Sequence, residues 1–249
     1  MASFSEIVLF STIMGLSIFL SMPIVLHKET GQLRTKFLNA IAIGILIFLI
    51  GDIFSNVSAN LYNGSYFGYG SLLPVDVSFG LAFAAGFLIL FFSENRTKVG
   101  LTPSYLALVI ALGMGFQNLT EGLVFGSLGV TTGLSGAALV VLVGFVLQNV
   151  TEGFPIASPF LGRTEGKVRQ MILLFLIGGL PTILGGAVGF FYNGTILDVA
   201  FDGAAIGAIL YAILPMLRML FRESDRINQR VGYLGVFLGF LIGFLVNLI

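Results

Sequence analysis

Eight long apolar stretches divide this chain, at about residues 5–26, 37–58, 76–93, 104–127, 136–161, 168–191, 199–220 and 231–248. A helix rises ~1.5 Å per residue, so ~20 apolar residues cross a ~30 Å hydrocarbon core. A spanning segment must satisfy its backbone internally, and a helix does so alone. The expected fold class is an all-α polytopic membrane protein with eight transmembrane helices. Composition agrees, with 57% hydrophobic residues, 10% charged residues and a mean hydropathy of +1.02. The connections are short, so residues 1–249 read as a single transmembrane domain without linker or low-complexity tail.

Charge fixes the expected topology. The basic residues fall in four clusters: Lys28, Arg34 and Lys36; Arg96 and Lys98; Arg163, Lys167 and Arg169; and Arg218, Arg222, Arg226 and Arg230. The breaks near 59–75, 128–134 and 192–199 hold none. Lys and Arg gather in cytoplasmic loops, so both termini are expected to be extracellular. Residues 1–26 read as an uncleaved span, because Glu6 stands where a signal peptide would carry positive charge. The expected location is the plasma membrane. A formal net charge of zero argues against nucleic-acid binding, and the chain has no cysteine.

The fourth and fifth stretches carry one polar hexapeptide, Gln-Asn-x-Thr-Glu-Gly. It runs Gln117, Asn118, Leu119, Thr120, Glu121, Gly122, and again Gln148, Asn149, Val150, Thr151, Glu152, Gly153. Ionisable residues at this depth are costly and ordinarily face a bundle interior or a pathway. Within each copy, Gln and Glu are four residues apart and share one helix face. A short loop makes the two helices antiparallel neighbours, so the copies meet at similar depth as a central helix 4/5 pair. A two-fold axis in the membrane plane would relate them, a frequent placement for a transporter's binding site.

Two carboxylates, Glu121 and Glu152, would then face four amides: Gln117, Asn118, Gln148 and Asn149. No Lys or Arg lies in the interior of the eight stretches to neutralise them, since Arg169 and Arg218 stand at stretch ends. Protons or a cation would supply the missing charge. Oxygen donors suit a divalent metal such as Mn²⁺ or Mg²⁺, with looser binding of Zn²⁺ or Fe²⁺. Metal binding would displace protons, since a buried carboxyl otherwise favours its neutral form. The bland alternative is two protonated glutamic acids hydrogen-bonded to amides, holding helices together.

With these residues the chain resembles the ZIP family of metal-ion transporters, especially its prokaryotic GufA-type branch. That family has eight spans with both ends outside. It carries His-Asn-x-Pro-Glu-Gly in the fourth span and a His- or Gln-led counterpart in the fifth. Gly207, Ala208, Ile209, Leu210 and Tyr211 also resemble its seventh-span pattern. The resemblance implies a binuclear-type metal centre, with Asn118, Glu121, Gln148, Asn149 and Glu152 as ligands and Gln117 in place of a ligand histidine. This chain departs from the pattern by that lost histidine and by Thr120 and Thr151 at the motif prolines. The seventh-span acidic residue is missing near Pro215 and Met216, and so is the histidine-rich cytoplasmic loop.

Asp52, late in the second stretch, is a candidate pathway residue or an interfacial cap. Asp76, Asp198 and Asp202 read as caps at outer helix ends, which with Glu6 make the outer surface acidic. His27 reads as a solvated interfacial side chain. Gly235, Gly239 and Gly243 recur every four residues, a spacing for close helix packing within the chain or at a homodimer seam. The Arg218–Arg230 series marks the cytoplasmic surface and would touch anionic membrane lipid.

The expected function is transport of a divalent metal cation (Zn²⁺, Fe²⁺ or Mn²⁺) into the cytoplasm, with the ion as substrate and no resident cofactor. No phosphate-binding Gly-Lys-Ser/Thr loop, triad or paired-histidine motif is present, so an enzyme is not expected. The alternatives are a non-transporting relative with a degraded metal site, serving sensing or assembly, and a proton-coupled carrier of a small organic cation.

Overall fold

The computed structural model describes residues 2–23, 31–62, 73–97, 102–134, 136–161, 167–192, 194–222 and 226–248. Its helices are α1 (Phe4–Leu16), α2 (Gln32–Tyr62), α3 (Leu73–Thr97), α4 (Pro103–Thr132), α5 (Gly136–Ala157), α6 (Lys167–Gly189), α7 (Thr195–Leu220) and α8 (Arg226–Val246). Short 3-10 turns extend α1 (Ser17–Ser21) and α5 (Ser158–Phe160). Among the described residues, eight helical segments are long and apolar enough to cross a membrane. The protein is therefore a helical multi-pass membrane protein. His27, Lys28, Lys98 and Arg163 lie outside the described residues.

Local chemistry sets several helix ends. The Ser3 hydroxyl accepts from the Glu6 backbone N–H, and the Glu6 carboxylate accepts from the Ser3 N–H at 2.7 Å. Glu6 thus completes a capping box as well as adding surface charge. Thr102 caps α4 by accepting from the Tyr105 N–H, and Pro103 fills the first turn, where no N–H is needed. Gly133 ends α4 at φ 68°, a conformation that disfavours side chains with a Cβ.

The expected first span is a helix that tightens at Ser17. The Ser17 hydroxyl donates to the carbonyls of Met14 and, across to α5, Val146. The helices also extend past several expected ends. Arg34 and Lys36 join α2, and Arg226 and Arg230 open α8.

Glycine dictates the closest seams. The most extensive contacts pair α4 with α6, α3 with α7, and α2 with α8. A Cβ on Gly122 would lie 2.2 Å from the Thr182 carbonyl oxygen, and one on Gly185 would lie 2.1 Å from the Leu119 oxygen. Backbones this near leave no room for a side chain. Gly235, Gly239 and Gly243 press against Ala40, Ile41 and Phe48 of α2, so the last helix spends its small-residue stripe inside the chain. Contacts sort the helices into two groups. α1, α4, α5 and α6 form one, and α2, α3, α7 and α8 form the other, joined mainly where α7 packs on α4.

Candidate ion-binding site

Both hexapeptides lie within helices, the first near the middle of α4 and the second in the latter half of α5. Gln117, Asn118, Glu121, Asn149 and Glu152 are buried, and Gln148 is part-buried. The motif glycines set the positions of the two helices. Gly122 admits the α6 backbone, while Gly153 would bring a Cβ within 2.1 Å of the Ser21 hydroxyl and 2.4 Å of the Ile18 carbonyl oxygen. Each copy is thereby seated against a different neighbour, α6 for the first and the end of α1 for the second.

The first copy is tethered. Gln117 Nε2 donates to Glu121 Oε1 at 3.0 Å, the four-residue contact its spacing predicts. Asn118 Nδ2 donates to the Gly178 carbonyl of α6 at 3.0 Å. That carbonyl sits beside a helix defect, because Pro181 has no N–H to return to Ile177. The two motif threonines return their hydroxyls to their own helices. Thr120 bonds the Phe116 carbonyl at 3.2 Å, and Thr151 bonds the Gln148 carbonyl at 2.7 Å.

The remaining polar atoms are unmet. Among the described residues, nine buried side-chain N or O atoms lack a protein partner, and seven belong to the two hexapeptides. Six of those seven are oxygens: Gln117 Oε1, Asn118 Oδ1, Glu121 Oε2, Asn149 Oδ1 and both Glu152 oxygens. Gln148, Asn118 and Gln117 surround the Glu152 carboxyl without closing a hydrogen bond to it. Glu121 lies within electrostatic reach of Glu152, then of Asp52, then of Asp202. A concentration of orphaned acceptors is costly in a protein interior, and protons on the two carboxyls or a bound cation would satisfy them.

Asp202 has a larger place than an outer cap. It lies a third of the way along α7 and is 8% exposed. Phe201 stacks on Phe116 at 6.2 Å, and Gly113 lies against Ala208 and Ile209. This antiparallel register sets Asp202 level with Thr120, whose hydroxyl it approaches. Asp198, one turn earlier, is part-buried. The Asp198–Asp202 spacing was the available sequence signal, since it stacks both carboxylates on one helix face.

Asp52 lies about two-thirds of the way along α2, where its Oδ1 accepts at 2.7 Å from Nδ2 of Asn247, just past the end of α8. Among the described residues, no three His, Cys, Asp or Glu side chains come together closely enough to hold a metal ion. Amide oxygens must therefore complete any coordination shell. Neither a protein-family model nor a curated protein sequence matches the chain.

Proposed function

We propose that the protein carries a divalent cation across the plasma membrane into the cytoplasm, with the ion held between α4 and α5. Glu121 and Glu152 supply charge, while the oxygens of Gln117, Asn118, Gln148 and Asn149 supply the remaining donors. The observation that carries this reading is the set of six buried, partnerless oxygens within two facing hexapeptides. Two carboxylates and four amides suit a hard or borderline divalent ion bound singly. The similarity of the hexapeptides to the ZIP pattern supports the same reading.

In this reading both termini are extracellular and the basic helix ends are cytoplasmic. Asp198, Asp202 and Asp52 draw cations from the outer side. Movement of the group containing α4 and α5 against the group containing α3 and α7 then exposes the ion to the cytoplasm. Uptake of Zn²⁺, Fe²⁺ or Mn²⁺ into proteoliposomes tests it. Wild type should accumulate metal, and Glu121→Gln/Glu152→Gln should not. Equal uptake by both, or none by either, rejects the proposal.

The lack of a three-member His, Cys, Asp or Glu group among the described residues favours one alternative, a relative whose metal site has decayed into a sensing or assembly role. It predicts no uptake by wild type, and metal binding too weak to depend on Glu152.

A further inference from the structure

Helices α3 and α4 follow one another in sequence but share little contact, because α3 packs on α7 while α4 packs on α6 and α7. They belong to the two different helix groups. At the basic end of the bundle, one hydrogen bond crosses this open seam, and a second braces its α3 side against α7. Tyr105, in the first turn of α4 and fixed there by the Thr102 cap, donates its hydroxyl to the Leu90 carbonyl of α3 at 3.1 Å. One turn further along α3, the Glu94 carboxylate accepts from the Tyr211 hydroxyl of α7. Tyr211 is buried, and its ring meets Phe87 of α3 edge-on at 5.7 Å. The two phenols lie within electrostatic reach of one another.

The layer between these residues and the hexapeptides is apolar. Leu106, Ile110 and Met114 of α4 and Ile209 of α7 are all buried there. On the other side of the hexapeptides stand Asp202, Asp198 and Asp52. The ion site therefore has carboxylates towards one end and a sealed plug towards the other. A plug of packed side chains parts only if the helices carrying it separate. The polar bridge from α4 to α3 is what crosses the seam where they would do so.

We propose that Tyr105, Glu94 and Tyr211 form a clasp that shuts the basic end of the bundle beneath the ion site, and that its release opens the site to that side. Its meaning as a gate rests on the cation site proposed above, but its closure does not require an ion. Both bonds can be exchanged for bonds to water, so the clasp is reversible in a way that glycine-packed seams are not.

The chain has no cysteine, so one placed beneath the clasp reports opening without background. Ala208→Cys suits this, since Ala208 is 1% exposed and lies between the clasp and the hexapeptides along α7. In reconstituted, metal-free protein, a hydrophilic maleimide applied from the basic side should modify it slowly. Adding Tyr105→Phe, which removes the oxygen that crosses the seam and keeps the ring, should accelerate modification by about two- to tenfold, the effect of losing one hydrogen bond from the closed state, and Tyr211→Phe, which loosens only the Glu94 brace, should accelerate it less. Leu46→Cys, buried on α2, serves as the reference and should stay protected. Unchanged labelling at Ala208, or equal acceleration at Ala208 and Leu46, overturns the clasp. Accelerated labelling in a protein that binds no Zn²⁺ or Mn²⁺ would leave the clasp standing and sink the cation reading alone.

Discussion

The two hexapeptides agree in five of six residues, yet they serve different ends in the fold. In α4 the motif is a frame: Gln117 holds Glu121, and Asn118 holds a carbonyl on α6. In α5, Asn149 and Glu152 reach no protein partner at all. The difference arises from neighbours. The α4 copy lies against α6, where glycines on both helices bring the backbones close enough for Asn118 to reach the Gly178 carbonyl. The α5 copy packs Gly153 onto the tight turn after α1, where the Ser21 hydroxyl is already given to the Ile18 carbonyl. A repeated sequence thus yields one half anchored by hydrogen bonds and one half whose polar atoms close none.

The largest expected effect tests this asymmetry directly. Glu152→Gln should weaken Mn²⁺ or Zn²⁺ binding by more than the roughly hundredfold that loss of an outer-shell partner costs. Glu121→Gln should cost only about tenfold, because one oxygen is already engaged by Gln117 and a glutamine can keep that bond. Calorimetric titration of purified protein measures both. Equal losses would erase the distinction between frame and receptor, and no loss in either would remove the site.

A smaller effect should differ in sign between the copies. Asn118→Leu leaves the Gly178 carbonyl without its side-chain donor and should destabilise the metal-free protein by about 1–3 kcal/mol. Asn149→Leu removes an amide whose two polar atoms have no partner, so it should be neutral or stabilising. Unfolding of each variant in detergent, without metal, decides between them. Destabilisation of similar size in both would mean that Asn149 has a partner in the membrane-embedded protein.

The fold was legible because its determinants are local and periodic. Apolar length marked the helices, and clustered Lys and Arg marked their ends. The paired hexapeptides were legible for the same reason, since four-residue spacing fixes a helix face. Two features were not. The Asn118–Gly178 contact joins residues sixty positions apart, and no pattern in α6 announces which of its carbonyls Asn118 will meet. Asp202 departs from its expected role as a cap because α7 starts four residues early. Starting α7 at 199 makes Asp202 a capping residue, whereas the helix begins at Thr195 and carries it down to the level of Thr120. Depth in a membrane helix is counted from its end, so a small boundary shift changes a cap into a buried charge.

The smallest expected effect extends the comparison from the two motifs to the two aspartates near them. Asp202 is buried at the level of Thr120, whereas Asp52 lies nearer solvent and shares its carboxylate with Asn247. Charges near water are screened within ~10 Å at 0.1 M salt, while buried ones are screened much less. Asp52→Asn should therefore slow cation association by less than about threefold at low salt, and the effect should vanish near 1 M salt. Asp202→Asn should slow it further, and that loss should persist at high salt because Asp202 is buried beside Thr120, where salt screens little. Stopped-flow measurement of metal association at two ionic strengths separates the pair. If both effects disappear together in salt, Asp202 is as solvated as Asp52 and lies outside the buried path to the site.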